Sequence, residues 1–269
     1  MRVGINSQAV KEFNKNGMVW AKDVELIELS LAEVDFINDG NHVIKLAEEL
    51  SEEYNIRYTI HAPYQDSPLK STRIKFTEIN NKNIKIMERV LELSYKLGAE
   101  CVVIHGGDVL GKNSIKNVIK NLKEVCNTSK NYGITLALEN VFTNEKGIKR
   151  AGETPEELLY IVENVGKDTL GINIDIGHAY ISSQMHNINI EDYFETLNGH
   201  VIHIHAHNNV GLCGEVWDKH LPIFNGKIDY TKLQKMLKTK NIILEVKSGS
   251  REEVLDSLKF LSGKKCKKT

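Results

Sequence analysis

The strongest constraint on the fold is a regular alternation of short apolar segments with stretches of helical periodicity along the chain. Eight apolar segments can be recognised, most of them rich in Val and Ile. They lie at residues 2–5, 25–29, 57–60, 101–104, 135–138, 170–174, 201–204 and 242–244. Eight strand and helix units in about 250 residues fit a closed (β/α)8 barrel better than an open sheet. We therefore predict an α/β fold, a single TIM barrel.

Two of the predicted helices carry clear start or stop signals. The clearest helix covers residues 83–97, where apolar side chains recur on one face and Gly98 supplies the stop. Another begins at Thr154, an N-cap residue that Pro155 follows at the first helical position. The unit that contains residues 18–34 has few helix-breaking residues, so its boundaries are the hardest to predict.

The composition is that of a single globular domain. The 269 residues are 41% hydrophobic and carry a formal net charge of -1, and no Pro- or Ser-rich linker interrupts them. We assign residues 1–263 to the barrel and residues 264–269 to a basic C-terminal tail. The sequence shows neither an apolar run of membrane-spanning length nor a signal peptide, so we expect a cytoplasmic protein without a membrane partner. Four cysteines without CxxC spacing agree with a reducing compartment.

Chemistry in such a barrel sits at the carboxyl ends of the strands, so residues at or just after each strand end are the functional candidates. The strands from the third to the eighth all end next to His, Asp or Glu. These residues are His61 in HAPY, His105 in VIHGG, Glu139 in ALEN, Asp175 and His178 in NIDIGH, His205 in HIHAHNN, Asp218 and His220 in DKH, and Glu245 in ILEV. His203 and His207 share a face with His205, because side chains alternate along a strand.

A group of divalent metal ions explains this pattern better than a solvated surface does. Asp and Glu are depleted in strands, so repeated acidic strand ends need a cause. Four carboxylates at one barrel mouth repel each other strongly unless cations lie between them. We therefore predict divalent metal ions as cofactors, between one and three per chain, with Zn, Mn, Mg, Co and Fe as candidates.

The ordered ligand set resembles that of the xylose isomerase-like barrel superfamily, which includes the AP endonuclease family 2 enzymes such as endonuclease IV. The resemblance runs from His61 to Glu245 and implies a site for three zinc ions, two of them bridged by Glu139. The implied ligands are His61, His105 and Glu139 for the first ion, Glu139, Asp175, His205 and Glu245 for the second, and His178, Asp218 and His220 for the third.

The sequences of the individual motifs resemble those of another branch of the superfamily, the sugar phosphate isomerases and epimerases. HAPYQD after the third strand, HIHAHNN at the seventh and DKHLPIFNGKID beyond it are similar to that branch. Endonuclease IV enzymes have an Asp where this chain has Asn208. The ketose 3-epimerases place an Arg six residues beyond the His ligand, where this chain has Gly211. The resemblance therefore implies an isomerase or epimerase and argues against a ketose 3-epimerase.

Three functions remain open at this point. In an isomerase or epimerase, one dication among three carboxylates leaves a single net negative charge, which suits a neutral sugar, and Glu139 and Glu245 pass a proton through an enediolate. In a phosphodiesterase similar to endonuclease IV, three zinc ions against four carboxylates leave a positive site, which suits DNA at an abasic position. A metal or sugar binder without catalysis is the third alternative.

Three further residues are predicted to contact a substrate. Trp217 precedes Asp218 and can stack on a sugar ring. His207 leaves its strand on the same face as His205, and Lys247 points the same way as Glu245 if the eighth strand continues. We expect the partner to be a sugar or sugar phosphate, or in the alternative DNA with an abasic site.

Overall fold

Eight parallel strands close into a barrel in which each strand pairs with the next along the chain and the eighth pairs with the first. The structure is a computed structural model that describes residues 1–32, 34–238 and 240–263. The strands are β1 (Val3–Asn6), β2 (Leu26–Ser30), β3 (Arg57–His61), β4 (Val102–Ile104), β5 (Leu136–Glu139), β6 (Leu170–Asp175), β7 (Val201–Ala206) and β8 (Asn241–Leu244). This topology confirms the predicted TIM barrel. The predicted basic tail at 264–269 lies outside the described residues.

Eight α-helices surround the barrel within the described ranges. They are α1 (Phe36–Tyr54), α2 (Asn81–Lys96), α3 (Ser114–Tyr132), α4 (Pro155–Val165), α5 (Ile176–His186), α6 (Ile190–Thr196), α7 (Tyr230–Leu237) and α8 (Arg251–Leu261). They are not distributed one to a strand, because β6 and β7 are joined by two helices and β1 and β2 by short 3-10 turns alone. Between β1 and β2, the turn-forming residues Asn14 and Gly17 interrupt any helical repeat, and Val10 forms an isolated bridge with Val19.

The local signals in the sequence act as expected at the helix ends. The side chain of Thr154 accepts a hydrogen bond from the backbone N–H of Glu157, and Pro155 takes the first position of α4. Gly98, with φ of +59°, follows the end of α2 in the left-handed conformation that glycine adopts at little steric cost. The helix starts two residues earlier than the predicted 83, because Asn80 caps it.

The register of the strands places polar side chains inside the barrel at its carboxyl end. Glu28 pairs with Thr59, Glu139 with Asn173, and Asp175 with His205. The alternate positions of these strands carry the apolar side chains that pack against the helices. At its carboxyl end the barrel thus has an apolar outer layer and a buried polar interior. None of the described helices combines the length and the hydropathy that a membrane span requires.

Candidate metal centre

Three of the predicted ligands surround the carboxylate of Glu139, a residue that is 1% exposed at the end of β5. Its Oε1 lies 3.4 Å from Nε2 of His105, and its Oε2 lies 3.5 Å from Nε2 of His61. The same Oε2 lies 3.2 Å from Nδ1 of His205. The convergence follows from the topology, since parallel strands of a closed barrel all end on one rim.

Two more carboxylates approach the same nitrogen of His205. Its Nδ1 lies 3.4 Å from Oε2 of Glu245 and 3.8 Å from Oδ2 of Asp175. Asp175 is the register partner of His205 on the neighbouring strand, and Glu245 directly follows β8 on the other side. Glu139, Asp175 and Glu245 therefore face one imidazole nitrogen, as the ligands of a single ion would.

A second group of ligands lies beside the first. Oδ2 of Asp218 is 2.6 Å from Nε2 of His220 and 3.4 Å from Nε2 of His178. Nδ1 of His178 is also 3.2 Å from Oε1 of Glu139, which links the two groups. His220 has a φ of +47°, a left-handed conformation that is uncommon for a residue with a side chain and recurs at functional sites. All nine predicted ligands thus lie in one continuous cluster.

Backbone carbonyls orient three of the imidazoles. Nδ1 of His61 lies 2.9 Å from the carbonyl oxygen of Ala62. Nδ1 of His178 lies 3.0 Å from that of Asn140, and Nδ1 of His220 lies 2.9 Å from that of Glu245. A carbonyl oxygen can only accept, so each Nδ1 carries a proton and each Nε2 keeps its lone pair when the ring is neutral. These are the Nε2 atoms that face the carboxylates, which is the arrangement of metal-ligating histidines.

Two asparagines hold the acidic ligands in place. Asn173 donates a hydrogen bond of 3.0 Å from Nδ2 to Oε2 of Glu139. Asn140 donates from Nδ2 to the backbone oxygen of Asp175 and accepts from its backbone N–H. Oδ1 of Asp175 also accepts the backbone N–H of His178, because Asp175 is the N-cap of α5. The end of β6 and the start of α5 are therefore fixed by the same residue that faces His205.

The donor set fits divalent metal ions. Buried polar atoms normally have hydrogen-bond partners, yet Nε2 of His105, Oε1 of Glu139 and Nδ1 of His205 have none among the described residues. All three point into the cluster, where a cation would satisfy them. Groups of ligand atoms lie within 4.8 Å of one another in His61, His105 and Glu139, in Glu139, Asp175 and His205, and in His178, His207, Asp218 and His220.

The electrostatic balance keeps the carboxylates ionised. Burial opposes ionisation of Glu139, but the charges of His205 and His105 outweigh it and hold its pKa well below the usual value. Burial likewise opposes ionisation of Glu245, and the charges of His220 and His205 lower its pKa well below normal. Metal ligands of this type must be deprotonated, so both side chains are in the form that binds a cation.

The three predicted substrate contacts differ in their surroundings. Lys247 is exposed and lines the cavity over the ligands. Trp217 is half-buried, and its backbone N–H donates to Glu145. His207 is fully buried, with Nε2 3.0 Å from Oδ1 of Asp175. Its ring stacks on that of His220 at a centroid distance of 4.1 Å, so it lies among the ligands.

Two residues of the cluster were not predicted from the sequence to be part of this site. Glu28 on β2 is buried, and its Oε1 lies 2.9 Å from Nε2 of His205. An acidic residue within the apolar segment at 25–29 was the available signal, because Glu is depleted in buried strands. Tyr64 stacks on His105 at 4.7 Å and meets His61 edge-on at 5.8 Å. Its position in HAPYQD gave no signal of that contact.

A cavity of about 230 Å³ opens over the ligands. Its walls include Asn6, Gln8 and Ser30 from β1, β2 and the turn after β1, and Tyr64 and Phe142 from the segments that follow β3 and β5. The volume is below the range of about 300 to 1,000 Å³ that is typical of pockets for drug-sized ligands. The cavity therefore suits a small polar molecule that approaches Glu139 and Glu245.

Comparisons with known proteins agree with this description. An uncharacterized protein of Methanocaldococcus jannaschii, MJ1614, is 28% identical over 96% of this chain and 98% of its own length. A probable endonuclease 4 of Mycobacterium leprae is 22% identical over 76% of this chain and 77% of its own. Among solved structures, a D-tagatose 3-epimerase-like protein superposes with a TM-score of 0.76 and 26% identity, over 98% of this chain and 96% of the other.

The family assignment rests on most of the chain. Residues 21–264 match the family described as the xylose isomerase-like TIM barrel, a span that includes all nine candidate ligands. The closed eight-stranded barrel is the fold that this description names. The chain therefore belongs to the xylose isomerase-like TIM barrel family.

Proposed function

We propose that this protein is a divalent-metal-dependent isomerase or epimerase that acts on a sugar or a sugar phosphate. The observation that carries the proposal is that Glu139 and Glu245 meet at Nδ1 of His205, at 3.2 and 3.4 Å, below a small polar cavity. Two ionised carboxylates at one point of a pocket floor can remove a proton from a carbon atom and return it.

The proposed ligands of the catalytic ion are Glu139, Asp175, His205 and Glu245. When bound, the ion would polarise the substrate carbonyl and the hydroxyl beside it. Glu245 removes the proton from the carbon next to the carbonyl, and the electron pair moves to the carbonyl oxygen to give an enediolate. A proton that Glu139 has taken up from solvent then adds to the opposite face of the same carbon in an epimerase, or to the neighbouring carbon in an isomerase, and Glu245 releases its proton to solvent. In an isomerase the proton of the hydroxyl also moves to the former carbonyl oxygen.

The cavity and the comparisons support this substrate class. The cavity suits a single small sugar, and the exposed Lys247 at its edge can pair with a phosphate group. The similar structure named as a D-tagatose 3-epimerase-like protein supports a sugar. We propose that His207 supports the metal ligands from behind and that Trp217 contacts the far end of the substrate.

Solvent exchange tests this proposal across many sugars at once. The protein loaded with Mn²⁺, Co²⁺ or Mg²⁺ is incubated in D₂O with a panel of ketoses, aldoses and their phosphates, and deuterium at carbon is read by NMR. We expect metal-dependent deuterium incorporation beside the carbonyl of at least one sugar. Absence of exchange across the panel, with the metal shown to be bound, would contradict the proposal.

A phosphodiesterase similar to endonuclease IV is the second candidate, and a specific observation favours it. Among the described residues, five overlapping groups of side chains can each hold an ion, and the members of one group, His178, His207, Asp218 and His220, have no part in the one-metal mechanism. Probable endonuclease 4 enzymes are among the relatives. Three zinc ions per chain in elemental analysis, together with incision of a duplex that contains an abasic site, would favour this candidate over the isomerase.

A further inference from the structure

Glu28 is a buried carboxylate that neither proposed reaction uses. It lies on β2, two register pairs before the strand end at Ser30 and His61, and is 1% exposed. Its Oε2 accepts a hydrogen bond of 3.1 Å from Oγ1 of Thr59, and Nε2 of His203 lies 3.3 Å from the same oxygen. Its Oε1 lies 2.9 Å from Nε2 of His205. Burial of a charge costs several kcal/mol unless it is compensated, so its position next to these groups needs a reason.

His205 stands between two sets of carboxylates. Its Nδ1 faces the carboxylates of Glu139, Asp175 and Glu245. Among the described residues, Glu28 has the one carboxylate that lies within 4.0 Å of its Nε2. The rings of His61, His178 and His220 are oriented by backbone carbonyls. Neither ring nitrogen of His205 has an aligned hydrogen-bond partner among the residues that the structure describes, and the carboxylate nearest to Nε2 is that of Glu28, at 2.9 Å. The orientation of the His205 ring, with Nδ1 towards the rim, therefore depends on a side chain rather than on a backbone carbonyl.

We propose that Glu28 is a positioning residue, which holds the imidazole of His205 so that the proton stays on Nε2 and the lone pair of Nδ1 faces the bound metal. This inference rests on the proposed metal site at Glu139, Asp175, His205 and Glu245. A cation at Nδ1 displaces any proton from that atom, so Nε2 must keep the other one, and Glu28 is the acceptor beside it. Thr59 and His203 keep the carboxylate from turning away.

The charges around Glu28 agree with this geometry. Burial opposes its ionisation, but the charge of His205 in its protonated form and the hydrogen bond with His203 hold the pKa of Glu28 at about 2. The carboxylate is therefore ionised beside a protonated His205. It also places negative charge behind a ligating imidazole, which makes the ligand a better donor to a cation.

Zn²⁺ titration against a chelating dye tests the role of Glu28. The variant Glu28→Leu removes the acceptor, and Glu28→Gln keeps an oxygen that can accept from Nε2. Removal of such a partner costs about 10- to 100-fold in metal affinity, so Glu28→Leu should weaken at least one bound Zn²⁺ equivalent by that factor. Glu28→Gln should recover most of the affinity, a rescue that a general loss of stability would not give.

Glu153→Gln is the matched control. Glu153 is also a buried glutamate, 1% exposed, and it also contacts a histidine, with Oε1 3.0 Å from Nε2 of His186. It is not among the proposed ligands, so its substitution should leave the Zn²⁺ titration unchanged. Equal Zn²⁺ affinity in wild type and Glu28→Leu would overturn the proposal and leave the metal site intact. Failure of the wild type itself to bind Zn²⁺ would instead overturn the proposed function.

A measurement on the wild type covers the case in which Glu28→Leu does not fold. Long-range ¹H–¹⁵N spectra of the zinc-loaded protein, labelled at histidine, report which ring nitrogen carries the proton. We expect His205, assigned by the loss of its signals in His205→Gln, to be protonated at Nε2. A proton on Nδ1 would overturn the proposal. So would a ring without any proton, which would mean that a cation binds between Glu28, His203 and His205.

Discussion

Gly177 lies directly against the imidazole of His207: a Cβ on Gly177 would stand 2.0 Å from Cε1 and 2.4 Å from Nδ1 of that ring. The glycine occupies the first turn of α5, whose N-cap is Asp175, and His207 lies 3.0 Å from the same aspartate. The start of the helix and the histidine behind the ligands therefore share one narrow space. A side chain at 177 cannot be added unless His207 moves.

Gly177→Ala should accordingly destabilise the protein although alanine is the better helix former. Helix propensity favours alanine by about 1 kcal/mol, whereas overpacking of a tight site costs about 1 to 3 kcal/mol. We expect a net loss of about 1 kcal/mol or more in urea unfolding, together with weaker Zn²⁺ binding. Gly111→Ala is the control, because no atom lies within 4 Å of its added Cβ. Unchanged stability in Gly177→Ala would contradict the close contact.

Glu245→Gln tests the proposed proton transfer. The substitution keeps the shape of the side chain and removes its basicity, and general-base groups contribute about 10² to 10⁴ in rate. Deuterium exchange into a sugar that the wild type turns over should fall by that factor while the urea midpoint stays close to wild type. Glu252→Gln, an exposed carboxylate in the first turn of α8, is the control and should exchange at the wild-type rate. A fully active Glu245→Gln would rule out the catalytic role.

The fold and the ligand positions followed from patterns that are local in the chain. Period-two alternation predicted that His203, His205 and His207 share a face, and all three are buried, the first two on β7 and His207 directly after it. The rule that function lies at the carboxyl ends of barrel strands gathered His61, Glu139 and Glu245 from distant parts of the sequence. Closure of the barrel then brings these residues together, because all eight parallel strands end at the same rim.

Features that depend on register between strands were not predictable from the sequence. Glu28 meets His205 across the inside of the barrel, 177 residues along the chain, and only the stagger of β2 and β7 sets that distance. The connection between β1 and β2 could not be predicted either, because it consists of two short 3-10 turns and an isolated bridge between Val10 and Val19, none of which has a sequence period. Short elements of this kind are decided by tertiary contacts rather than by periodicity.

Asp218→Asn tests whether the two groups of ligands bind separate metal ions. Asp218 lies 2.6 Å from Nε2 of His220 and 3.4 Å from Nε2 of His178, and it is not among the four proposed ligands of the catalytic ion. If this group holds a separate ion, elemental analysis should show one metal fewer per chain, with the Mn²⁺ affinity of the remaining site within a few-fold of wild type. Deuterium exchange should then persist, whereas cleavage of an abasic-site duplex would be lost. Asp229→Asn, at the exposed N-cap of α7, is the matched control and should keep the full metal content.

Asn140→Ala should be among the most destabilising single changes near the rim. Asn140 is fully buried, and its side chain pairs with both the backbone oxygen and the backbone N–H of Asp175, at 2.9 and 2.7 Å. Alanine leaves two buried polar groups without these partners, at a cost of about 1 to 3 kcal/mol each, so we expect a loss of about 3 kcal/mol in urea unfolding. Asn164→Ala, on the exposed face of α4, should change stability by less than about 0.5 kcal/mol. A loss in Asn140→Ala as small as that of the control would mean that Asp175 is held by other contacts. Its position as a ligand would then not depend on Asn140.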